Sequence, residues 1–587
     1  MHTRSRFPIL LALAALATAF PQPVAAATLT EALSAYRSNR VAEAEAQLAE
    51  VAADPVASAD DRAAARRELA RIDWLIRSET DAMDAALAAP SEAQERCATV
   101  LTALRVYREA GAPEAGLAAA QDQGACTPSQ MQDMHVALAR THMARGDLAA
   151  AAQALAAADP TAQRDPATAA ARFSLALMQG NASAATQAWR DYFWLDDTDA
   201  PQALASYAGR VETLFSTALG ANASDADRAA LVDMLIRAGF YEDALRLAGP
   251  MSDAPHWQSA RAYFAFRTAV REALLRANRE MASGGRAAQL EDSLRSAIAD
   301  LMRANGLSGD PIAALGQAYG LYGTLGETSG YPSMHAGHLT QDETMRVAQY
   351  GRDGELRFIV IDNMISNGFE SWLWDGWAEA GGWATNDGAI VQVRSAYTDG
   401  PLAALHRARP GASRDRIRAD IERTAADERA ALGRDGVAEL PSTSDRLELQ
   451  AIDQIMRDVG HDAAAFIARH WDETVHYSIT LHEGRHALDK ASGNFSSPDL
   501  EFRAKLSQIA LSDYPRLGLA NVAAGAQNST PHGRANRRVL EGFRTWMRAH
   551  RSEIDGFNAD VPTLAQLHLL SDDQIRAAAR SMDPWAR

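Results

Sequence analysis

Hydrophobic and polar positions change rhythm several times along this chain. After a basic start an apolar run extends from Phe7 to Phe20, too short to span a bilayer as a stable helix. From about Thr28 to Leu325, Ala and Leu recur at helical spacing and strand formers are scarce, which predicts a long series of helices. Glu327-Thr-Ser-Gly-Tyr-Pro-Ser-Met334 reads as a loop. The period then shortens to two. Leu356-Arg-Phe-Ile-Val-Ile-Asp362 predicts a buried strand, and Ala389 to Tyr397 a second, with Gln392 and Arg394 on its exposed face. Helical spacing returns over residues 400–450, with a turn at Pro441, then over Asp472 to Asp489, and again from Asn536 to the end.

The apolar start is followed by Ala25 and Ala27 in an Ala-x-Ala pattern, so residues 1–27 read as a cleavable secretory leader. The expected location is a bacterial periplasm or beyond it, with no stable membrane anchor. Loss of the leader removes Arg4 and Arg6 and no acid, taking the formal charge from −17 to −19. That balance disfavours nucleic acid and anionic membranes as partners. Cys97 and Cys126 are the only cysteines. In an oxidising compartment they can pair, closing a loop worth about 3 kcal/mol by chain entropy; two buried thiols are the alternative.

Two domains are expected, 28–325 and 326–587. In the first, Met143-Ala-Arg-Gly-Asp-Leu and Gly180-Asn-Ala-Ser-Ala-Ala carry glycines 34 residues apart, and Arg237-Ala-Gly-Phe-Tyr-Glu-Asp-Ala-Leu has the same shape. These blocks resemble tetratricopeptide-type hairpins, in which a glycine makes room where helices cross. An irregular helical solenoid or bundle is the alternative. In the second domain, four of the 11 tryptophans fall between Phe369 and Trp383, favouring a packed core over a cleft wall.

The chemistry concentrates at His482-Glu483-Gly484-Arg485-His486. On a helix, residues four apart share a face, so the two imidazoles can grip one metal ion while Glu483 stands ready to accept a proton. Catalytic zinc usually needs a third ligand. Downstream, Ser497-Pro498 is a good helix start, and Glu501 sits early in the helix it opens.

This arrangement resembles the gluzincin metallopeptidases, in which H-E-x-x-H on one helix is completed by a Glu on the next. The resemblance implies an α+β zincin-like domain with Zn2+ on His482, His486 and Glu501, and Glu483 as general base. Asp499 is a rival ligand that reads better as a cap. Asp489 is either an orienting partner for a ligand histidine or a solvated acid. His532 is the candidate oxyanion donor, with Tyr514 a second choice. His335 and His338 form an H-x-x-H string in a loop, a weaker metal candidate. Arg485 departs from the uncharged residues the motif prefers, and it suits an acid from another helix or a substrate carboxylate. Gly484 costs helix stability unless another segment packs closely. The strand from Ala389 could be an edge that pairs with an extended peptide.

The expected whole is mostly α: a tetratricopeptide-like solenoid followed by a zinc metallopeptidase. It would act on protein or peptide substrates, with the repeats recruiting substrate or a protein partner. That content resembles periplasmic protease–tetratricopeptide proteins of envelope quality control, with the order reversed. The alternatives are a non-catalytic scaffold with a structural metal site, and a zinc amidase acting on cell-wall peptides.

Overall fold

The computed structural model describes residues 28–37, 40–158, 160, 165–193, 210–249, 251–328, 331–366, 382–385, 389–393, 395–433, 436–526 and 530–586. The leader, Arg394 and nearly all of the tryptophan-rich segment lie outside them. The described chain is mostly helical, with one small sheet. No described helix is long and apolar enough to cross a membrane.

From Leu29–Arg37 to Pro311–Tyr319 every element among the described residues is a helix. The glycine repeat is turn chemistry. Gly146 (φ 78°) and Gly180 (φ 65°) follow helices Pro128–Ala144 and Pro166–Met178 in the left-handed region, which side chains disfavour. The next residue starts the following helix: Asp147 accepts from Ala150 N at 3.0 Å and Asn181 from Ala184 N at 3.1 Å. The expectation that glycine makes room at a helix crossing is corrected here. A Cβ on Gly146 would meet nothing within 4 Å. Phe173, Trp189 and Phe215 meet edge-on or tilted in the shared core. Cys97 and Cys126 are joined by a disulfide.

The sheet has the order β1-β2-β3-β5-β4, from β1 (Leu321–Thr328), β2 (Tyr331–Gln349), β3 (Arg352–Ser366), β4 (Gly382–Ala384) and β5 (Ile390–Val393). It starts at Leu321, so the expected boundary at 325 falls inside β1. Glu327 to Met334 is not a free loop; Thr328 pairs with Tyr331 across a hairpin. His335 and His338 also lie in β2. His338 is buried, with Tyr263 Oη of the helical half 3.3 Å from its Nε2.

The second expected strand is shorter, because helix Ser395–Ala408 begins where it was to continue. It is no edge either: β5 pairs in parallel with β3 and antiparallel with β4. Strands covered on both sides bury both faces, and Gln392, expected to be exposed, is buried. Pro441 opens helix Pro441–Asp458 in place of a turn.

One sheet face positions the motif. Val347, Phe358, Val360 and Ile390 pack against Ile479 and Leu488, while Ile359, Ile361, Val391 and Val393 form a cluster on the other face. Successive side chains alternate between the two faces, and both faces are buried.

Candidate metal centre

The motif lies on one continuous helical rod. It runs as α-helix Ala463–Val475, π-helix His476–Glu483 and α-helix Gly484–Ser492. Sequence spacing gave the middle of this rod but not its π-turns, which widen the helix and are common at functional sites. Gln349 of β2 donates to the Leu481 carbonyl at 2.9 Å, fastening the π-segment to the sheet. Gly484 faces the same strand: a Cβ there would lie 2.9 Å from Val347 Cγ1.

Helix Ser497–Leu511 folds back on the rod after a four-residue connection. Its cap is Ser496, one residue earlier than expected, accepting from Asp499 N. Residues Glu501 to Ala510 are all buried. Glu501 reaches both motif histidines: Oε2 lies 3.4 Å from His482 Nε2, and Oε1 lies 3.3 Å from His486 Nε2. Glu483 Oε1 is 4.0 Å from His482 Nε2, with its side chain partly exposed. His532 is no loop residue. It stands in the first turn of helix Pro531–Ala549, which Thr530 caps, and its Nδ1 lies 2.7 Å from Glu501 Oε2.

The ligating atoms of His482, Glu483 and His486 lie within 4.8 Å of one another, as do those of His482, Glu501 and His532. Either group could hold a metal ion. Burial pushes the Glu501 carboxyl up, but the three imidazoles outweigh it and hold it well below the usual carboxylate range. Burial lowers His482, against the pull of Glu501 and Glu483. His482 Nδ1 meets Gln508 Oε1 at 3.1 Å. With Nδ1 donating to that carbonyl, the Nε2 lone pair faces Glu501 and is free to bind an ion.

The other candidates sit elsewhere. Asp499 is bound to Arg538 at 2.7 Å on the exposed side of its helix. Tyr514 donates to Asp458 at 2.9 Å. His335 and His338 join no metal-ligating group among the described residues. Asp489 is neither solvated nor bound to a histidine. It is fully buried and accepts from Arg485 (2.9 Å) and Arg503 (2.6 and 2.8 Å). Arg485 is fully buried too. It donates twice to Asp583, at 2.9 and 3.0 Å, and once to Ser507, and its guanidinium stacks 3.7 Å over the Trp585 ring. One of its two acids therefore comes from its own helix and the other from far down the chain, and the guanidinium is closed off from solvent.

Sequence reasoning missed Gln508, Asn536 and the role of Lys505. A signal for two of them was present. Glu501, Lys505 and Gln508 stand at i, i+4 and i+7, one polar face on a helix otherwise rich in Phe, Leu, Ile and Ala. Such a face on a buried helix needs partners.

A scan of protein-family models, a search of curated proteins and a search of solved structures each found no match to this chain.

Proposed function

We propose that this chain is an exported zinc-dependent metallopeptidase of gluzincin type, with a tetratricopeptide-like solenoid that recruits substrate or a protein partner. One observation carries the reading: two imidazole nitrogens and a carboxylate from two helices converge beside a partly exposed glutamate. The donors fit zinc. The Nε2 atoms of His482 and His486 stand 3.4 and 3.3 Å from the two oxygens of Glu501, and imidazole nitrogens with a carboxylate are a donor set that zinc takes.

His482, His486 and Glu501 would hold the ion. Zinc supplies a Lewis acid that polarises the scissile carbonyl and makes a water more acidic. Glu483 accepts the proton of the attacking water at its carboxylate and returns it to the leaving amine. His532, against Glu501 and at the cleft, donates to the carbonyl oxygen as charge develops there. Gln508 keeps the His482 ring in the ligand tautomer.

The test is metal content of the purified protein beside peptide hydrolysis. The expected result is about one zinc per chain, lost in His486→Ala and Glu501→Ala. Glu483→Gln should keep the metal and lose at least about 100-fold in turnover. A wild type without zinc after reconstitution would sink the reading and leave a helical scaffold.

A further inference from the structure

Beside the His–Glu cluster opens a cleft of about 420 Å3, within the size range of small-ligand sites. Three helices line it: Lys505 from Ser497–Leu511, Asn521 from Pro515–Ala524, and His532 and Asn536 from Pro531–Ala549. Its described lining holds no carboxylate, in a chain of net charge −17. Lys505 is only 5% exposed. Its ammonium feels the charges of Glu501 and Glu483, yet makes no hydrogen bond or ion pair among the described residues. Its stem is buried while the ammonium opens on the cleft, where a ligand carboxylate can reach it. Asn536 supplies the second, independent sign. It is 4% exposed, its Nδ2 donates to the Gly525 carbonyl at 2.8 Å, and its Oδ1 is buried without a partner. The cleft is thus lined by a cation and by an amide whose acceptor is unused.

A free peptide C-terminus presents that pair of groups: a carboxylate and the amide N–H beside it. Lys505 lies one helical turn from Glu501, about 6 Å along the axis, and an extended chain spans about 3.5 Å per residue. We infer that Lys505 and Asn536 form a subsite for the terminal carboxylate and last N–H of a peptide substrate, so that the enzyme removes the last one or two residues. This rests on the zinc hydrolase reading and narrows it to a carboxypeptidase.

The test uses the full chain, zinc-loaded and carrying Glu483→Gln, titrated calorimetrically with an N-acetylated hexapeptide as free acid and as C-terminal amide. The acid is expected to bind about 10- to 100-fold more tightly. Adding Lys505→Met should erase that preference, and Lys505→Arg should restore part of it. Equal binding of acid and amide by the Lys505 protein overturns the subsite. With wild type, mass spectrometry should show loss of one or two C-terminal residues; internal cuts overturn the inference while leaving the zinc hydrolase intact. Absence of both zinc and hydrolysis overturns the two together. If Lys505→Met fails to fold, judged by its thermal melt, the acid–amide comparison alone decides. Peptides ending in L- and in D-alanine separate protein tails from cell-wall peptides, and a preference for the free acid in either series supports the subsite.

Discussion

Gly484 stands between Glu483, the proposed general base, and His486, a proposed ligand, and its missing side chain is a packing requirement. A Cβ would come 2.9 Å from Val347 Cγ1, on a stiff β-branched residue of the sheet. Alanine there gains about 1 kcal/mol of helix propensity but pushes the rod off β2. Gly484→Ala is expected to lower stability by about 1–2 kcal/mol net, and Val347→Ala to recover part of that in a double-mutant cycle by urea unfolding. A stabilised Gly484→Ala would show the contact to be loose. At this scale the sequence was a good guide. The spacing of His482 and His486 and the place of Glu501 follow from helical geometry over a few residues, and they converge as that geometry requires. Asn536 was not legible, and the helical spacing that marks Lys505 and Gln508 does not show what they meet, because those surroundings come from three helices that no local pattern joins.

The rod and helix Ser497–Leu511 are tied by charges buried behind the site. Arg485 and Arg503 share Asp489, and Arg485 also holds Asp583. Removing one partner from such a cluster leaves a buried charge uncompensated, at a cost of about 3–5 kcal/mol. Asp583→Asn should therefore destabilise by about that much in chemical denaturation, and should weaken binding of the proposed zinc, since the rod carries two of its three proposed ligands. Unchanged unfolding would mean that water or another acid replaces Asp583. The sequence pointed to an acid from another helix for Arg485 but could not say which, because Asp583 is 98 residues away and looks like a surface charge in its own segment. The length of the second strand failed for a related reason. Ile390 to Val393 has the residues of a strand, but the helix that replaces its second half is a matter of tertiary context, as is the burial of Gln392.

Across the molecule, the helical half and the sheet meet at His338 and Tyr263. Burial, with Arg267 nearby, holds His338 down at about 3, from 6.5. The folded state thus favours the neutral ring. That contribution is complete above about pH 6.5 and is lost as pH falls from there toward 3. Unfolding free energy should drop by up to about 3 kcal/mol between pH 6.5 and 4 from this group, and His338→Gln should flatten that slope. A slope unchanged by the substitution would assign the acid sensitivity elsewhere. Reducing the Cys97–Cys126 bridge should cost the helical half about 3 kcal/mol, read as a lower melting temperature with reductant. The division into a helical half and a mixed half was legible from composition and period; the joint between them was not, because β2 seemed to be a loop at its histidines. The Arg485–Asp583 clamp also bears on timing. A chain emerges from the ribosome N-terminus first, so Arg485 appears 98 residues before the acid that neutralises it. Until Asp583 follows, the helix bearing the two histidines lacks half of its clamp, and the candidate metal centre is among the last parts of the fold to be fastened.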